Sequence, residues 1–316
     1  MRFLLVAPIM FSVAAQAVAA EPLAGEILVT ATKRAQPWFE VPVAASSISA
    51  ADLQAAGVTD LRELNRLSPS LLVSSTSSEA NGGVARIRGV GTVGDNPGLE
   101  SSVAVYVDGV YRPRSGTALT ELGELERIEV LRGPQGTLFG RNASAGLVSI
   151  TTRKPEFESL GDAEVTLGSH GQRRFFIGVT GPLAKDRLAY RFDAVMGKRD
   201  GFIRETVSGR QINNRDRLLL RGQLLFTPTA DVELRLIGDY ANRKEECCAG
   251  VYQPISMATR GADGSIDVNA DNPVRRILEA LGGAPLVDDP WRRETALTPG
   301  RSFRSHVRDM GLSAQL

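Results

Sequence analysis

Leu125-Glu126-Arg127-Ile128-Glu129-Val130-Leu131-Arg132-Gly133-Pro134-Gln135-Gly136-Thr137-Leu138-Phe139-Gly140-Arg141-Asn142 joins a short strand to a glycine-spaced turn. Arg127 to Leu131 alternates charged residues with Ile128 and Val130, the period of a half-buried strand. The turn is not a Walker A loop, because its glycine spacing is one residue short and no Lys-Ser/Thr pair follows. Anion binding there is a weak expectation. Glu124, Glu126 and Glu129 interleave with Arg127 and Arg132. Such alternation predicts ion pairs with a neighbouring surface more readily than acid/base chemistry.

Working upstream, residues 41–153 read as mixed α/β text dense in glycine. Ser49-Ala50-Ala51-Asp52 predicts a capping box with Asp in the place of Glu, and Gly57 a helix stop. Thr59 is placed to cap a second helix carrying Leu61, Leu64 and Leu67 on one face, ended before Pro69. Short strands are expected over Val84–Arg88, Val103–Val107, Arg127–Leu131 and Gly146–Thr152, with polar loops over 74–83 and 91–102. Gly89-Val90-Gly91-Thr92-Val93-Gly94 is a literal dinucleotide fingerprint with Asp108 where a ribose-binding acid would sit. Asp95-Asn96-Pro97-Gly98 then follows where the fingerprint needs a helix. Dinucleotide binding is therefore rejected.

Downstream of Pro155 the texture changes to runs of about ten residues, apolar on one face and charged on the other. Phe175, Ile177 and Val179 make one such run; Leu188, Tyr190, Phe192, Ala194 and Met196 alternate with Arg187, Arg191 and Asp193 in the next. Leu218, Leu220, Leu224 and Phe226 alternate with Arg217, Arg221 and Gln223, and Val232, Leu234, Leu236 and Tyr240 with Glu233, Arg235 and Asp239. A turn is expected at Gly168-Ser169-His170-Gly171, short connections at Gly181-Pro182 and Thr227-Pro228, and a longer polar one over 198–214. Short turns alternating with long loops mark a transmembrane β-barrel. A soluble sandwich also alternates, but it explains the charged face less well. The strand signal fades after Tyr240. Residues 242–303 read as a long polar loop, with one or two helical turns over Val274–Leu281. A strand resumes at Gly311–Leu316. Too few strands are present to close a barrel, so the text reads as the first part of a longer protein.

The remaining features set the compartment. Met1-Arg2, the apolar run Phe3–Ala15 and Ala17-Val18-Ala19 predict a cleaved export signal over residues 1–20. No later segment approaches the apolar length of a transmembrane helix, so entry into a membrane would use strands. The 316-residue chain is 42% hydrophobic, 23% charged and carries +1 net charge, which offers no nucleic-acid bias. The two cysteines, Cys247 and Cys248, are adjacent. A strained vicinal disulfide is the expected state of this pair in an oxidising compartment, with free thiols or a partial metal site as alternatives. Two histidines, His170 and His306, do not make a triad or a zinc site. No enzyme active site, resident metal or cofactor is expected. At the amino end, Glu26-Ile27-Leu28-Val29-Thr30-Ala31 reads as a strand bracketed by Pro22, Gly25 and Pro37, with no partner in its own neighbourhood.

The opening stretch, with Val105-Tyr106-Val107-Asp108-Gly109-Val110-Tyr111 before it and Gly146-Leu147-Val148-Ser149-Ile150-Thr151-Thr152-Arg153-Lys154-Pro155 after it, closely resembles the plug domain of TonB-dependent outer-membrane receptors. The resemblance runs from about Glu26 to Pro155; the later text agrees in texture. It implies an α+β plug domain followed by an incomplete antiparallel transmembrane β-barrel. The divisions would be a signal peptide over 1–20, a TonB-box segment over 21–40, a plug over 41–155 and the N-terminal part of the barrel over 156–316. In this family a barrel of about 22 strands is stoppered by the plug. The inner-membrane TonB protein pulls on the TonB box by strand addition. The matching box is Glu26, Ile27, Leu28, Val29, Thr30 and Ala31, with Leu28 standing where the family commonly has Val. The implied cargo is a scarce external ligand, most often a ferric siderophore. Other expectations are a carbohydrate, an aromatic compound or cobalamin, or a signalling role, which only about five residues between cleavage site and box disfavour. Cargo contacts are expected from the loops around Asn81, Asp95 and Asn96 and from Arg112 and Arg114, with surface ion pairing as the alternative for the two arginines. Gly133, Gly136 and Gly140 are expected where side chains would clash in a confined lumen. The implied location is the outer membrane, in contact with its lipid.

Overall fold

The computed structural model describes residues 28–29, 36–37, 41, 43–58, 61–75, 83–92, 100–113, 123–246, 249–251, 257–260, 262–269, 276–277, 280–281, 289–296 and 304–316. The chain opens with β1 (Leu28–Val29) and β2 (Gln36–Pro37), an antiparallel pair with Leu28 opposite Pro37 and Val29 opposite Gln36. The amino-terminal strand thus has a local partner, contrary to the reading that its flanking prolines isolate it. Both strands of a two-stranded ladder are edges, where a missing N–H donor is tolerated. Glu26, Ile27, Thr30 and Ala31 lie outside the described residues.

β3 (Ala45–Ser49) runs directly into α1 (Ala50–Ala55). The capping box is present: the Ser49 hydroxyl accepts from the Asp52 amide at 3.2 Å, and the Asp52 carboxylate accepts from the Ser49 amide at 3.0 Å. This bonding holds the Asp52 carboxyl below its ordinary range, the Ser49 hydroxyl contributing most. Gly57, at φ 61°, follows the helix. The second helix is a 3-10 helix over Leu61–Arg66 instead of an α-helix. Three residues per turn stacks Leu61 on Leu64, and both are fully buried. Thr59 lies outside the described residues.

β4 (Leu71–Ser75) pairs with β5 (Gly83–Ile87), and the reading of 74–83 as loop missed the end of the first. β6 (Val103–Val107) and β7 (Val110–Arg112) are joined by Asp108 and Gly109 at φ 49° and 74°, the left-handed pair of a tight hairpin. β8 (Leu125–Arg132), the short helix α2 (Gly136–Phe139) and β9 (Gly146–Thr152) complete this part. Its sheet has the order β3-β8-β9-β6-β7, parallel only between β6 and β9. Ile48, Leu53, Leu64, Ile87, Ile128 and Val148 share one core beneath it.

The glycine expectation needs correction. Gly133 and Gly140 have positive φ, 88° and 76°, but a side chain at either, or at Gly136, would meet nothing nearby. Backbone conformation, not crowding, explains the first two. Crowding occurs at Gly146, where a Cβ would strike the Leu131 carbonyl and the Ile87 side chain.

The second part is built on β10 (Leu160–Gly168), β11 (Gln172–Ala184) and β12 (Leu188–Arg199). β13 (Ile203–Glu205) and β14 (Gln211–Ile212) form a small hairpin before the long strands β15 (Arg215–Thr229) and β16 (Val232–Glu246). β17 (Met257–Arg260) pairs with β18 (Ile266–Asn269), and β19 (Glu294–Thr295) adds in parallel to β13. β20 (Arg304–Gln315) ends the series. The large sheet is antiparallel, order β10-β11-β12-β15-β16-β20, and open at both edges.

Two details depart from expectation. Gly181-Pro182 and Thr227-Pro228 lie inside β11 and β15, with the turns starting three residues after Pro182 and two after Pro228. Register shifts at Pro182/Ala184 and Phe226/Thr229 accommodate them, since a proline fits a ladder at an irregularity. β16 also continues to Glu246, past the point where the apolar pattern fades at Tyr240. In the stretch read as one or two helical turns, the described contact is a bond from the Leu281 amide to the Ile277 carbonyl at 3.0 Å.

The two faces of the large sheet invert the soluble pattern. Arg191, Asp193, Arg217 and Arg235 are 1–2% exposed, whereas Ile177, Phe192, Met196 and Phe226 are 42–49% exposed. Cross-strand register lines the apolar residues into rows, one of which runs Ile177–Ala194–Leu220–Tyr240–Met310. From Phe175 to Leu183 the band is roughly 20 Å tall, at about 3.3 Å per residue and a tilt near 40°. An exposed apolar face over a buried charged one suits lipid outside and a polar filling inside, and rules out a sandwich core. Among the described residues no helix is long and apolar enough to cross a membrane.

Candidate functional site

The first part of the fold covers the charged face of the second, and the seam between them is where unusual chemistry concentrates. Glu124, just before β8, accepts from Arg191 of β12 and from Arg153, the residue after β9. Arg191 is bonded in turn to Asp193 at 3.1 Å, both side chains 1% exposed. Arg153 also donates to Glu156 at 2.9 Å. The Glu124 hydrogen bond is the main reason the Arg153 guanidinium holds its proton more tightly than usual. The connection to β10 is pinned as well, because the Glu156 amide donates to the Thr180 hydroxyl at 2.8 Å.

A second knot centres on Asp108, at the β6–β7 turn. Its carboxylate accepts from the Thr152 amide at 2.9 Å and from the Thr152 hydroxyl at 2.8 Å. Arg235 of β16 approaches it at 3.5 Å and donates to the Thr152 hydroxyl at 2.8 Å and to Gln223 at 2.6 Å. Gln315 of β20 donates to the Asp108 carbonyl at 2.5 Å. Asp108, the residue of the rejected ribose reading, is thus a structural junction. Nothing in local sequence reveals it; the inward parity of Gln223 and Arg235 was the available signal.

A third tie joins Arg112 of β7 to Asp239 of β16 at 3.0 Å, with side chains 19% and 11% exposed. Arg112, read as a possible cargo contact, is therefore occupied by the wall, the ion-pairing alternative for this residue. Asn81, Asp95, Asn96 and Arg114 lie outside the described residues, as do Cys247 and Cys248. Of the sequence-derived cargo residues, Arg112 lies among the described residues. Of the acidic series, Glu124 reaches the wall while Arg127 pairs within its own sheet with Glu126 and with Glu129, the latter at 2.9 Å. Arg132 donates to the Ala45 carbonyl at 3.0 Å.

The glycine-spaced turn is held by aromatic packing that sequence reasoning did not anticipate. The Tyr106 hydroxyl donates to the Phe139 carbonyl at 2.5 Å, and the two rings meet edge to face at 5.3 Å. Burial raises the Tyr106 phenol above its ordinary value. Cavities flank the assembly. One of about 450 Å³ lies between α1 and the charged wall, lined by Gln54, Glu124, Arg153, Glu164, Arg174 and others. Another of about 520 Å³ lies at the long-loop end, where His170, Phe202, Arg204 and Arg293 converge.

Comparison with known proteins adds three kinds of likeness. Residues 38–147 match the family described as TonB-dependent Receptor Plug Domain. A pesticin receptor of Yersinia pestis is 32% identical over 167 residues, 52% of this chain and 24% of the relative. A ferrioxamine B receptor of Salmonella typhimurium is 30% identical over 170 residues, 52% of this chain and 23% of the relative. The crystal structure of the ferric yersiniabactin uptake receptor of Yersinia pestis superposes with a TM-score of 0.61 and 25% identity, covering 65% of this chain and 32% of that one. The chain spans about a quarter of the length of the curated relatives it matches.

Proposed function

We propose, from the premise that residues 38–147 are the plug domain of a TonB-dependent receptor, that the chain serves energised uptake of a ferric siderophore across the outer membrane. The observation that carries this reading is the seam itself. A plug tied to the inner wall through Glu124–Arg191, Asp108–Arg235 and Arg112–Asp239 obstructs the lumen. Separating a buried ion pair, as Asp108–Arg235 is, costs several kcal/mol when one charge is left without its partner. Movement of such a plug needs work from outside the barrel.

Glu26 to Ala31 is the handle by which the inner-membrane TonB protein would supply that work. Among the described residues the ladder of β1 with β2 is two residues long on each strand. A pair that short is marginal in water, so its exchange for a strand of TonB costs little. Siderophore cargo is favoured because the relatives named above are receptors for ferrioxamine B and ferric yersiniabactin. Asn81, Asp95, Asn96 and Arg114 are the proposed cargo contacts; Arg112 serves the wall.

The test is growth. Iron-starved cells lacking their own siderophore receptors, and expressing this chain, are supplied with ferric ferrioxamine B, ferric yersiniabactin or a ferric catecholate in turn. Growth on at least one ferric complex supports the assignment. Growth on none, with the protein present in the outer membrane, would contradict siderophore uptake.

A further inference from the structure

On the inner face of the large sheet, one level of the wall carries a row of alternating charge. Cross-strand register places Gly178, Asp193, Arg221, Asp239 and Gly311 side by side on β11, β12, β15, β16 and β20. Arg221 thus stands directly between two acids, each one strand away. Opposite charges so placed across a ladder attract. Both acids are nevertheless engaged elsewhere. Asp239 gives its carboxylate to Arg112 of the plug at 3.0 Å, and Asp193 gives its own to Arg191 at 3.1 Å.

The acids lean away from Arg221, over the glycines that flank the row. A Cβ built on Gly311 would sit 2.8 Å from each oxygen of the Asp239 carboxylate, and one on Gly178 would sit 3.0 Å from Asp193 Oδ1. The missing side chains leave the space into which the carboxylates turn. Arg221 is 8% exposed, and its Nε is buried with no hydrogen-bond partner among the described residues. A buried donor without an acceptor is costly, and here an acceptor lies on the adjacent strand, turned the other way. The other two seam ties differ. Arg191 also holds Asp193, and Arg235 holds Gln223 at 2.6 Å, so both keep a wall partner when the plug leaves. Among the described residues Asp239 is bonded to Arg112 alone.

We infer that Arg221 is a positioning residue that receives Asp239 when the plug withdraws. With Arg112 gone, the Asp239 carboxylate turns off Gly311 and pairs with Arg221 across the β15–β16 ladder. The acid then changes partner instead of being stranded, at the moment when plug and wall have parted and water has not yet filled the gap. A guanidinium short of an acceptor in the closed state and satisfied in the open one biases the wall toward opening. The inference rests on the reading that the plug moves during uptake, and it adds the wall residue that eases the movement.

The test has a structural arm and an uptake arm. The full chain carrying Arg112→Met is purified from outer membranes and crystallised beside the wild type. Asp239 should leave Gly311 and stand within about 3 Å of an Arg221 nitrogen. Gly311→Ala, which denies Asp239 its resting place, should give the same contact. Asp239 still over Gly311 in the Arg112→Met protein, or turned to any group other than Arg221, overturns the exchange. The uptake arm supplies cells with the ferric complex that supports growth. Arg221→Met should bind it at the surface within about twofold of wild type yet accumulate it about tenfold more slowly, the effect of one lost pairing at the barrier. Arg221→Lys should recover most of the rate. Accumulation by Arg221→Met at the wild-type rate likewise overturns the exchange. A wild-type chain that accumulates no ferric complex contradicts the uptake reading instead, and the crystal structures still decide the exchange.

Discussion

Asp108 ties together three strands from both parts of the fold, which makes it the most sensitive single position in the seam. Asp108→Ala removes both bonds to Thr152 and leaves the Arg235 guanidinium with less counter-charge in a buried setting. We expect a loss on the order of 3 kcal/mol, read from urea unfolding of the refolded protein. Asp108→Asn should lose less, because an amide oxygen still accepts from Thr152. A double-mutant cycle with Arg235→Met should give a coupling above about 0.5 kcal/mol, the level at which neighbours depart from additivity. At the other extreme of exposure, Ser49→Ala removes the cap of α1 and should cost about 1 kcal/mol. The Asp52 carboxyl is lowered by that cap, so the stability it contributes is present above the unfolded aspartate range and lost as pH falls through the lowered value. In the Ser49→Ala protein this acid-side loss should shrink. The cap was legible because its residues are three apart; the Asp108–Arg235 contact was not, since its partners lie 127 residues apart.

At the scale of elements, what could be read depended on period. The strands of the large sheet declare themselves because alternation of two is preserved over ten residues and more, as in β12 and β15. Reading stopped where alternation lost its apolar half, so the last turn of ladder in β16 was missed although its pairing continues to Glu246 opposite Arg304. Prolines suggested turns at 181–182 and 227–228, but the ladder absorbs both through register shifts. The parallel addition of β19 to β13 joins two external loops, a contact no local pattern announces. Alternation also makes a sharp prediction about sides. Leu220→Arg places a charge in the lipid-facing row and should cost about 2–4 kcal/mol near the membrane midplane. Leu220→Met should be close to neutral. Unfolding in lipid vesicles separates the two, and equal stabilities would mean that the apolar rows do not face lipid.

For the whole molecule, the organisation is a plug with a conventional apolar core, set against a sheet whose apolar face is its outside. Charge placement couples the parts: the wall offers Arg191, Arg235 and Asp239, and the plug answers with Glu124, Asp108 and Arg112. That complementarity was foreshadowed in the sequence by acids interleaved with arginines, of which Glu124 pairs with the wall at Arg191. The location of cargo contacts stayed illegible, because it depends on loop shapes that neither period nor spacing specifies.

The central claim is that work delivered to the amino-terminal handle moves a plug that otherwise blocks uptake. The direct measurement is accumulation of radiolabelled ferric complex, on whichever siderophore supports growth, by cells carrying the wild-type chain, Val29→Pro or Val29→Ala. Proline removes the main-chain donor and forbids regular strand addition, while alanine keeps both. The account predicts surface binding in all three, accumulation by wild type and Val29→Ala that stops with a protonophore, and none by Val29→Pro. Accumulation by Val29→Pro at the wild-type rate would contradict it.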